Sequence, residues 1–177
     1  MPQLSIKPLT LSDLPTLRDI SISTFVETFA HLNSEENMRK YLEECLSLTK
    51  LTEEFNTEGS EFFFALMGEE VIGYLKINTG KAQTEPVENA LEIERIYIKK
   101  EYQGIKAGKF LLDHAFRSAQ EKGLMTVWLG VWEKNTKAIG FYESHCFTRF
   151  GQHIFMLGKE EQVDLLFKCD SPRRSEM

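Results

Sequence analysis

The 177-residue chain is poor in cysteine and histidine and has no surplus of positive charge, and each shortage closes off a class of function. Its three cysteines, Cys45, Cys146 and Cys169, are odd in number, far apart and without a CxxC pair. Such spacing offers neither a zinc site nor a disulfide framework, so all three are expected to be reduced thiols. The four histidines, His31, His114, His145 and His153, do not cluster, and no metal is expected. His145 and Cys146 adjoin, but neighbours on a helix or strand point apart, which argues against a Cys/His nucleophilic pair. Acidic residues outnumber basic ones by 27 to 21, for a net charge of −6. Nucleic-acid binding needs a basic face, so no such partner is expected, whereas an acidic protein suits a cationic small molecule. No apolar run approaches the length of a membrane span, and residues 1–7 lack the apolar segment of a signal peptide. The expected location is the cytoplasm, with no membrane partner.

What remains is an ordinary globular composition, 42% hydrophobic and 27% charged, long enough for one substantial core. One domain is expected over residues 1–170, followed by a tail at 171–177. Leu4–Lys7 reads as a strand ended by Pro8. Ser12 is a good helix cap and Pro15 fits only a first helical turn; Leu14, Leu17, Ile22, Phe25 and Phe29 then form a helical stripe. Asn33-Ser34 caps a second helix, and a third short one is expected over Thr49–Phe55. Phe62–Leu66 and Val71–Ile77 form a hairpin around Gly68. Met125–Trp132 is a strand, Asn135 caps a short helix through Tyr142, and Phe147–Leu157 pairs with Gln162–Cys169. This alternation describes an α/β (α+β) fold, a mixed sheet with helices on both faces.

The chain is organised around residues 91–112. Leu91 and Ile93 are apolar at odd positions, Ile96 and Ile98 at even ones. A strand has period two, so this phase slip implies one inserted residue, a β-bulge near Glu94-Arg95. After the loop Gln103–Gly108, the residues Leu111, Leu112, Ala115, Phe116 and Ala119 share one helical face. Gly104 and Gly108 precede or open that helix, whose first N–H groups are unpaired and form an anion site. Gly108-Lys109 is followed by Phe110 rather than Ser or Thr, so the loop is not a Walker motif, and it is not GxGxxG.

The loop resembles the Q/R-x-x-G-x-G/A motif of the GNAT N-acetyltransferases. Gln103 and Gly108 match its ends, and Lys106 stands where the motif has Gly. The segment from Trp128 to Glu143 is similar to the family's second signature, a strand leading to N-x-x-A-x-x-F-Y, matched by Asn135, Ala138, Phe141 and Tyr142. Thr24-Phe25, Thr28-Phe29, Asn33, Glu36–Met38, Leu91–Lys99 and Glu161-Gln162-x-Asp164 look much like the PaiA-type polyamine N-acetyltransferases, over residues 1–169. The resemblance implies a mostly antiparallel sheet split between its two central strands. It implies acetyl-CoA as co-substrate and a small-molecule amine as acceptor, spermidine or spermine first, attacking directly in a ternary complex. A peptide N-terminus, an amino sugar or an antibiotic amine is the alternative acceptor, and a non-catalytic acyl-CoA-binding regulator is the alternative function. The sequence leaves a homodimer open.

Expected roles follow. The amides of Gln103, Gly104, Ile105, Lys106, Ala107, Gly108 and Lys109 would take the pyrophosphate. Backbone groups of Ile96, Tyr97 and Ile98, freed by the bulge, would pair with the pantetheine arm and polarise the acetyl carbonyl. An alkylammonium, with a pKa of about 10, must lose a proton before attack. Glu92 and Glu94 are the base candidates, since glutamate is depleted in strands; the resemblance favours Glu94 and leaves Glu92 open. Tyr142 is the candidate acid for the thiolate, against the alternative of a core aromatic. Asn135 either contacts the cofactor arm or simply caps its helix. Glu27, Glu35, Glu36, Phe25, Phe29 and Tyr41 mark an acceptor region, and the resemblance adds His153 and Phe155 to its border.

Overall fold

The computed structural model describes residues 3–170; the tail expected at 171–177 lies outside them. Strand β1 (Leu4–Pro8) leads into helices α1 (Leu14–Phe29), α2 (Glu35–Cys45) and α3 (Leu48–Phe55). A hairpin follows, β2 (Ser60–Met67) and β3 (Glu70–Thr79), then β4 (Ala90–Ile98), α4 (Ala107–Glu121), β5 (Thr126–Trp132), α5 (Thr136–Glu143) and the hairpin β6 (Thr148–Leu157) and β7 (Glu160–Asp170). The seven strands form one sheet in the order β1-β2-β3-β4-β5-β7-β6. All neighbours are antiparallel except β4 and β5.

Local chemistry sets most boundaries. The N-cap before α1 differs from expectation: Thr10, not Ser12, starts a short 3₁₀ turn that runs into α1, with the Asp13 carboxylate accepting from the Thr10 N–H. Ser34 and Ser47 cap α2 and α3 by accepting the N–H of Asn37 and Lys50. Gly123 ends α4 at φ 69°. Ile20, with Leu14, Leu17, Phe25 and Phe29, fills the buried stripe of α1, and Ile22 is only partly covered.

The sheet is covered on both sides. Helices α4 and α5 pack Leu111, Leu112, Ala115 and Tyr142 against Leu75, Ile77, Leu91, Ile93 and Leu129. Helices α1 to α3 pack Leu17, Phe25, Phe29 and Leu51 against Phe62, Phe64, Tyr74 and Trp132. Alternation along each strand sends its apolar residues to these two layers.

Two features shape the centre. Lys76 pairs with Arg95 and Ile77 with Ile93, so Glu94 is the inserted residue of a bulge, where the phase slip puts it. Next to it, β4 and β5 pair only from Ala90–Ile93 to Thr126–Leu129. Beyond that they part: residues 95–98 keep β3 as their neighbour, and residues 130–132 keep β7.

The expectation of three reduced thiols is overturned. Cys146 and Cys169 form a disulfide with Cα atoms 5.5 Å apart, while Cys45 is free. Cys146 turns the chain from α5 towards β6, and Cys169 ends β7 beside Val127 of β5. Sequence spacing of 23 residues hides this proximity, which the hairpin return creates.

Candidate active site

A cleft of about 1460 Å³ opens where β4 and β5 part. One flank is the loop from Gln103 to the start of α4, with α5 opposite; the other is α1, α2 and the β6–β7 hairpin.

The anion side is built from backbone. Lys106 is the N-cap of α4 at φ 64°, ψ 21°, a left-handed conformation for a residue with a Cβ. Gly104 lies at φ 93° with open space around it. Past these two reversals α4 begins, with its first residues Ala107, Gly108 and Lys109 lining the cleft and its first-turn N–H groups without helical partners. Lys137 of α5 donates to Gln103 Oε1 (2.9 Å), and Gln103 Nε2 donates to the Ile98 carbonyl (3.3 Å), so the loop is tied to both walls. Such a cradle fits a pyrophosphate. Gly104, Lys106, Ala107, Gly108, Lys109, Ile96, Tyr97, Ile98 and Asn135 all line the cleft. Ile105 is exposed and is not among the lining residues.

Asn135 caps α5 by accepting the Ala138 N–H (3.3 Å), which leaves its amide nitrogen for another partner. Tyr142, two turns further, is buried beside Phe141 and Phe147 and lines the cleft. Burial holds its phenol well above the ordinary phenol pKa, so it stays protonated through the neutral range. No described residue hydrogen-bonds its hydroxyl.

The two strand glutamates lie in different surroundings. Glu94 forms ion pairs with buried Lys76 and with Arg95 (3.7 Å). Both cations also bind Glu54 of α3: Arg95 through two bonds of 2.7 and 2.9 Å, Lys76 at 3.5 Å. Burial alone would push the Glu54 carboxyl up, but Arg95 and Lys76 bring it below its ordinary value. Burial likewise opposes the Arg95 charge, and Glu94 and Glu54 raise its pKa well above normal. Glu92 touches no cation. Its carboxylate accepts from Asn78 Nδ2 (3.0 Å), the Thr84 N–H (2.8 Å) and Thr84 Oγ1 (2.5 Å). Burial raises its pKa, against the lowering effect of those donors.

The flank formed by α1, α2 and the β6–β7 hairpin is aromatic and acidic. Phe25 stacks on Tyr41 (centroids 4.2 Å apart) and Phe29 (4.4 Å), Phe29 meets Trp132 (5.2 Å), and Tyr41 meets Phe155 (5.7 Å). All five rings line the cleft, as do Glu27, Glu92, Glu94 and Asp164. The α2 end is fixed by Gln162 Nε2, which donates to Asn33 Oδ1 (2.6 Å), and by the Lys159 N–H, which donates to Asn37 Oδ1 (3.1 Å). Glu27 reaches across the mouth to accept the Lys100 N–H (2.6 Å). Glu35 and Glu36, grouped with the acceptor region by sequence, do not line the cleft; Glu36 pairs with Lys159 instead.

A family model described as acetyltransferase (GNAT) family matches residues 16–147, which span the parted strands, the loop into α4 and Tyr142. The chain belongs to that family. This GNAT protein is 43% identical to an uncharacterized N-acetyltransferase in the pepI 3′ region of Lactobacillus delbrueckii subsp. lactis, over 95% of this chain and 98% of that one. It is 28% identical to the spermidine N(1)-acetyltransferase of Thermoplasma acidophilum, over 81% of this chain and 88% of that one. Its fold matches the crystal structure of a PaiA N-acetyltransferase from Thermoplasma acidophilum in complex with coenzyme A, with a TM-score of 0.78 and 24% identity over 95% and 99% of the two chains. The chain is an acetyl-CoA-dependent N-acetyltransferase.

Several residues of this GNAT site escaped the sequence reading: Thr84, Gly130, Trp132, Lys134, Lys137 and Asp164. Lys134 and Lys137 flank Asn135, and basic residues beside a helix start facing an anion site were a usable signal. Thr84 gave none, since it reaches Glu92 from an irregular loop. Among the described residues no group of acidic, histidine or cysteine side chains is arranged to hold a metal, and no helix is long and apolar enough to cross a membrane.

Proposed function

We propose that this enzyme acetylates a primary amine of a polyamine, spermidine or spermine, by direct attack on acetyl-CoA in a ternary complex. The observation that carries the reading is the two-sided cleft: a backbone anion cradle on one flank, stacked aromatics and carboxylates on the other. Aromatic faces attract ammonium groups, and desolvation strengthens the attraction. The spermidine acetyltransferase relative points the same way.

In this reading the amides of Gln103 to Lys109 hold the pyrophosphate, with Lys137 fixing the loop. The arm lies along Ile96–Ile98, where β4 has lost β5 as a partner, and the free backbone N–H groups there polarise the acetyl carbonyl. Asn135 directs its spare amide towards the arm. The deprotonated amine forms the C–N bond, the C–S bond breaks, and Tyr142 gives its proton to the departing thiolate; the second amine proton restores the phenol. Of the two strand glutamates, Glu94 serves the ion cluster that shapes the bulge. Glu92, with no cation against it, is the carboxylate better able to take a proton.

The test is thiol release from acetyl-CoA by purified protein with spermidine, spermine, an amino sugar and a peptide N-terminus. Saturable release with the polyamines at the lowest KM is expected. Release confined to another amine keeps the chemistry and discards the acceptor. Acetyl-CoA binding without release for any amine refutes the catalytic assignment.

A further inference from the structure

His153 sits on the acceptor wall between two carboxylates. Its Nδ1 lies 2.9 Å from Glu85 Oε1, in the loop before β4, and its Nε2 lies 3.3 Å from Asp164 Oδ2, its register partner on β7. The imidazole and Asp164 line the same cleft wall as Thr84 and Glu92. Against them lies Gly130, the first β5 residue beyond the last β4–β5 pair. A Cβ at Gly130 would stand 3.4 Å from His153 Nε2 and 3.5 Å from Asp164 Oδ2. Any larger side chain there would stand over both atoms, so the glycine keeps the pair open at the point where the strands part.

We propose that His153 is the group that takes the proton from the acceptor amine, in preference to Glu92. Glu85, the more exposed of its two carboxylate partners, accepts from Nδ1–H and so fixes the tautomer with a lone pair on Nε2. That lone pair and the Asp164 oxygen are both acceptors, and an alkylammonium brings the donors both require. The ammonium donates to each, one N–H bond breaks in favour of Nε2, and the nitrogen lone pair so freed forms the C–N bond. The imidazolium left behind is stabilised by Asp164 and Glu85, the charged groups that face it from β7 and from the loop. Glu92 is less suited, because three donors already occupy its oxygens and it anchors the loop that carries Glu85. Thr84 and Glu85 thus join Glu92 to His153 through adjacent residues, and Glu92 is a positioning residue.

This inference rests on the amine-acetylating reading above, and the experiment separates the two. Thiol release with acetyl-CoA and spermidine is followed from pH 5.5 to 9.5 for the full chain and its His153→Gln and Glu92→Gln variants, with acetyl-CoA affinity measured alongside. Wild-type kcat/KM should show a rising acid limb, as general-base catalysis requires. H153Q should lose about 10²-fold or more in kcat/KM and flatten that limb, with acetyl-CoA affinity unchanged. E92Q should keep the limb and lose less than about 10-fold. A His153→Ala variant should regain turnover with added imidazole, a result that a purely structural role would not give. An unchanged acid limb in H153Q, or its loss in E92Q alone, overturns the assignment of His153 and leaves the acetylation reading intact. No release by the wild type with any amine overturns both.

Discussion

Replacing Glu54 with glutamine tests whether the bulge on β4 is held electrostatically. Glu54, Glu94, Arg95 and Lys76 form a charge-balanced quartet, with side chains 4–21% exposed. E54Q leaves two buried cations facing Glu94 alone. At an effective dielectric of about 20, the Lys76–Glu54 pair at 3.5 Å represents roughly 5 kcal/mol of attraction, and the bidentate Arg95 pair more. Desolvation of the carboxylate offsets part of this, and removing one member of a buried pair costs about 3–5 kcal/mol net. With a urea m-value of about 2 kcal/mol/M, the midpoint should fall by about 1.5–2.5 M. The Glu54 carboxyl titrates below its ordinary 4.5, so its contribution is present above that pH and fades as pH falls through and below it. The gap between wild type and E54Q should therefore narrow as pH falls below 4.5. The double variant E54Q/K76M restores neutrality with the Arg95–Glu94 pair and should recover part of the loss. Activity should fall with E54Q, although Glu54 does not line the cleft, because Glu94 and Arg95 set the course of β4. A midpoint shift under about 0.5 M, or a K76M effect that adds in full to E54Q, would refute the reasoning.

Other outcomes follow from single residues. Tyr142→Phe should lower kcat by about 10²-fold while acetyl-CoA affinity holds, checked by steady-state kinetics beside a binding titration. Lys106→Gly should remove a left-handed strain of about 1 kcal/mol, partly cancelled by the freer unfolded chain. Its melting temperature should therefore rise or stay level, and its affinity for acetyl-CoA persist, since only backbone N–H is invoked there. Breaking the disulfide by Cys146→Ala opens a 23-residue loop and should cost about 3 kcal/mol. Because Cys146 has φ 84°, Cys146→Gly should cost about 1 kcal/mol less than the alanine variant, read from paired urea curves.

Much of this fold is legible because its signals are local. The phase slip between Ile93 and Ile96 marks the bulge, since period-two alternation breaks wherever one residue is inserted. Ser34 before α2 marks a helix start because capping acts within three residues. The hidden parts are contacts between distant segments. Glu54 meets Arg95 across 41 residues, and His153 meets Glu85 across 68. No periodicity records such meetings. The cysteine count misled for the same reason: an odd total concealed one close pair. The sequence reading leaned to Glu94 over Glu92, both on one strand beside the bulge, without seeing that their partners come from different elements, the 79–89 loop for Glu92 and α3, through its shared cations, for Glu94.

The short run of pairing between β4 and β5 has a mechanical side. Four residue pairs join a half-sheet of β1 to β4 to a half-sheet of β5 to β7, so the molecule is built like two leaves on one hinge. The disulfide stiffens the far leaf by tying the end of β7 to the turn after α5. The charge quartet stiffens the near leaf by tying β3 and β4 to α3. Between the leaves only those four pairs join the strands, so the angle at which β4 and β5 part sets the width of the cleft. That angle governs entry and departure at the cleft, and so the pace of turnover wherever departure is slower than bond-making.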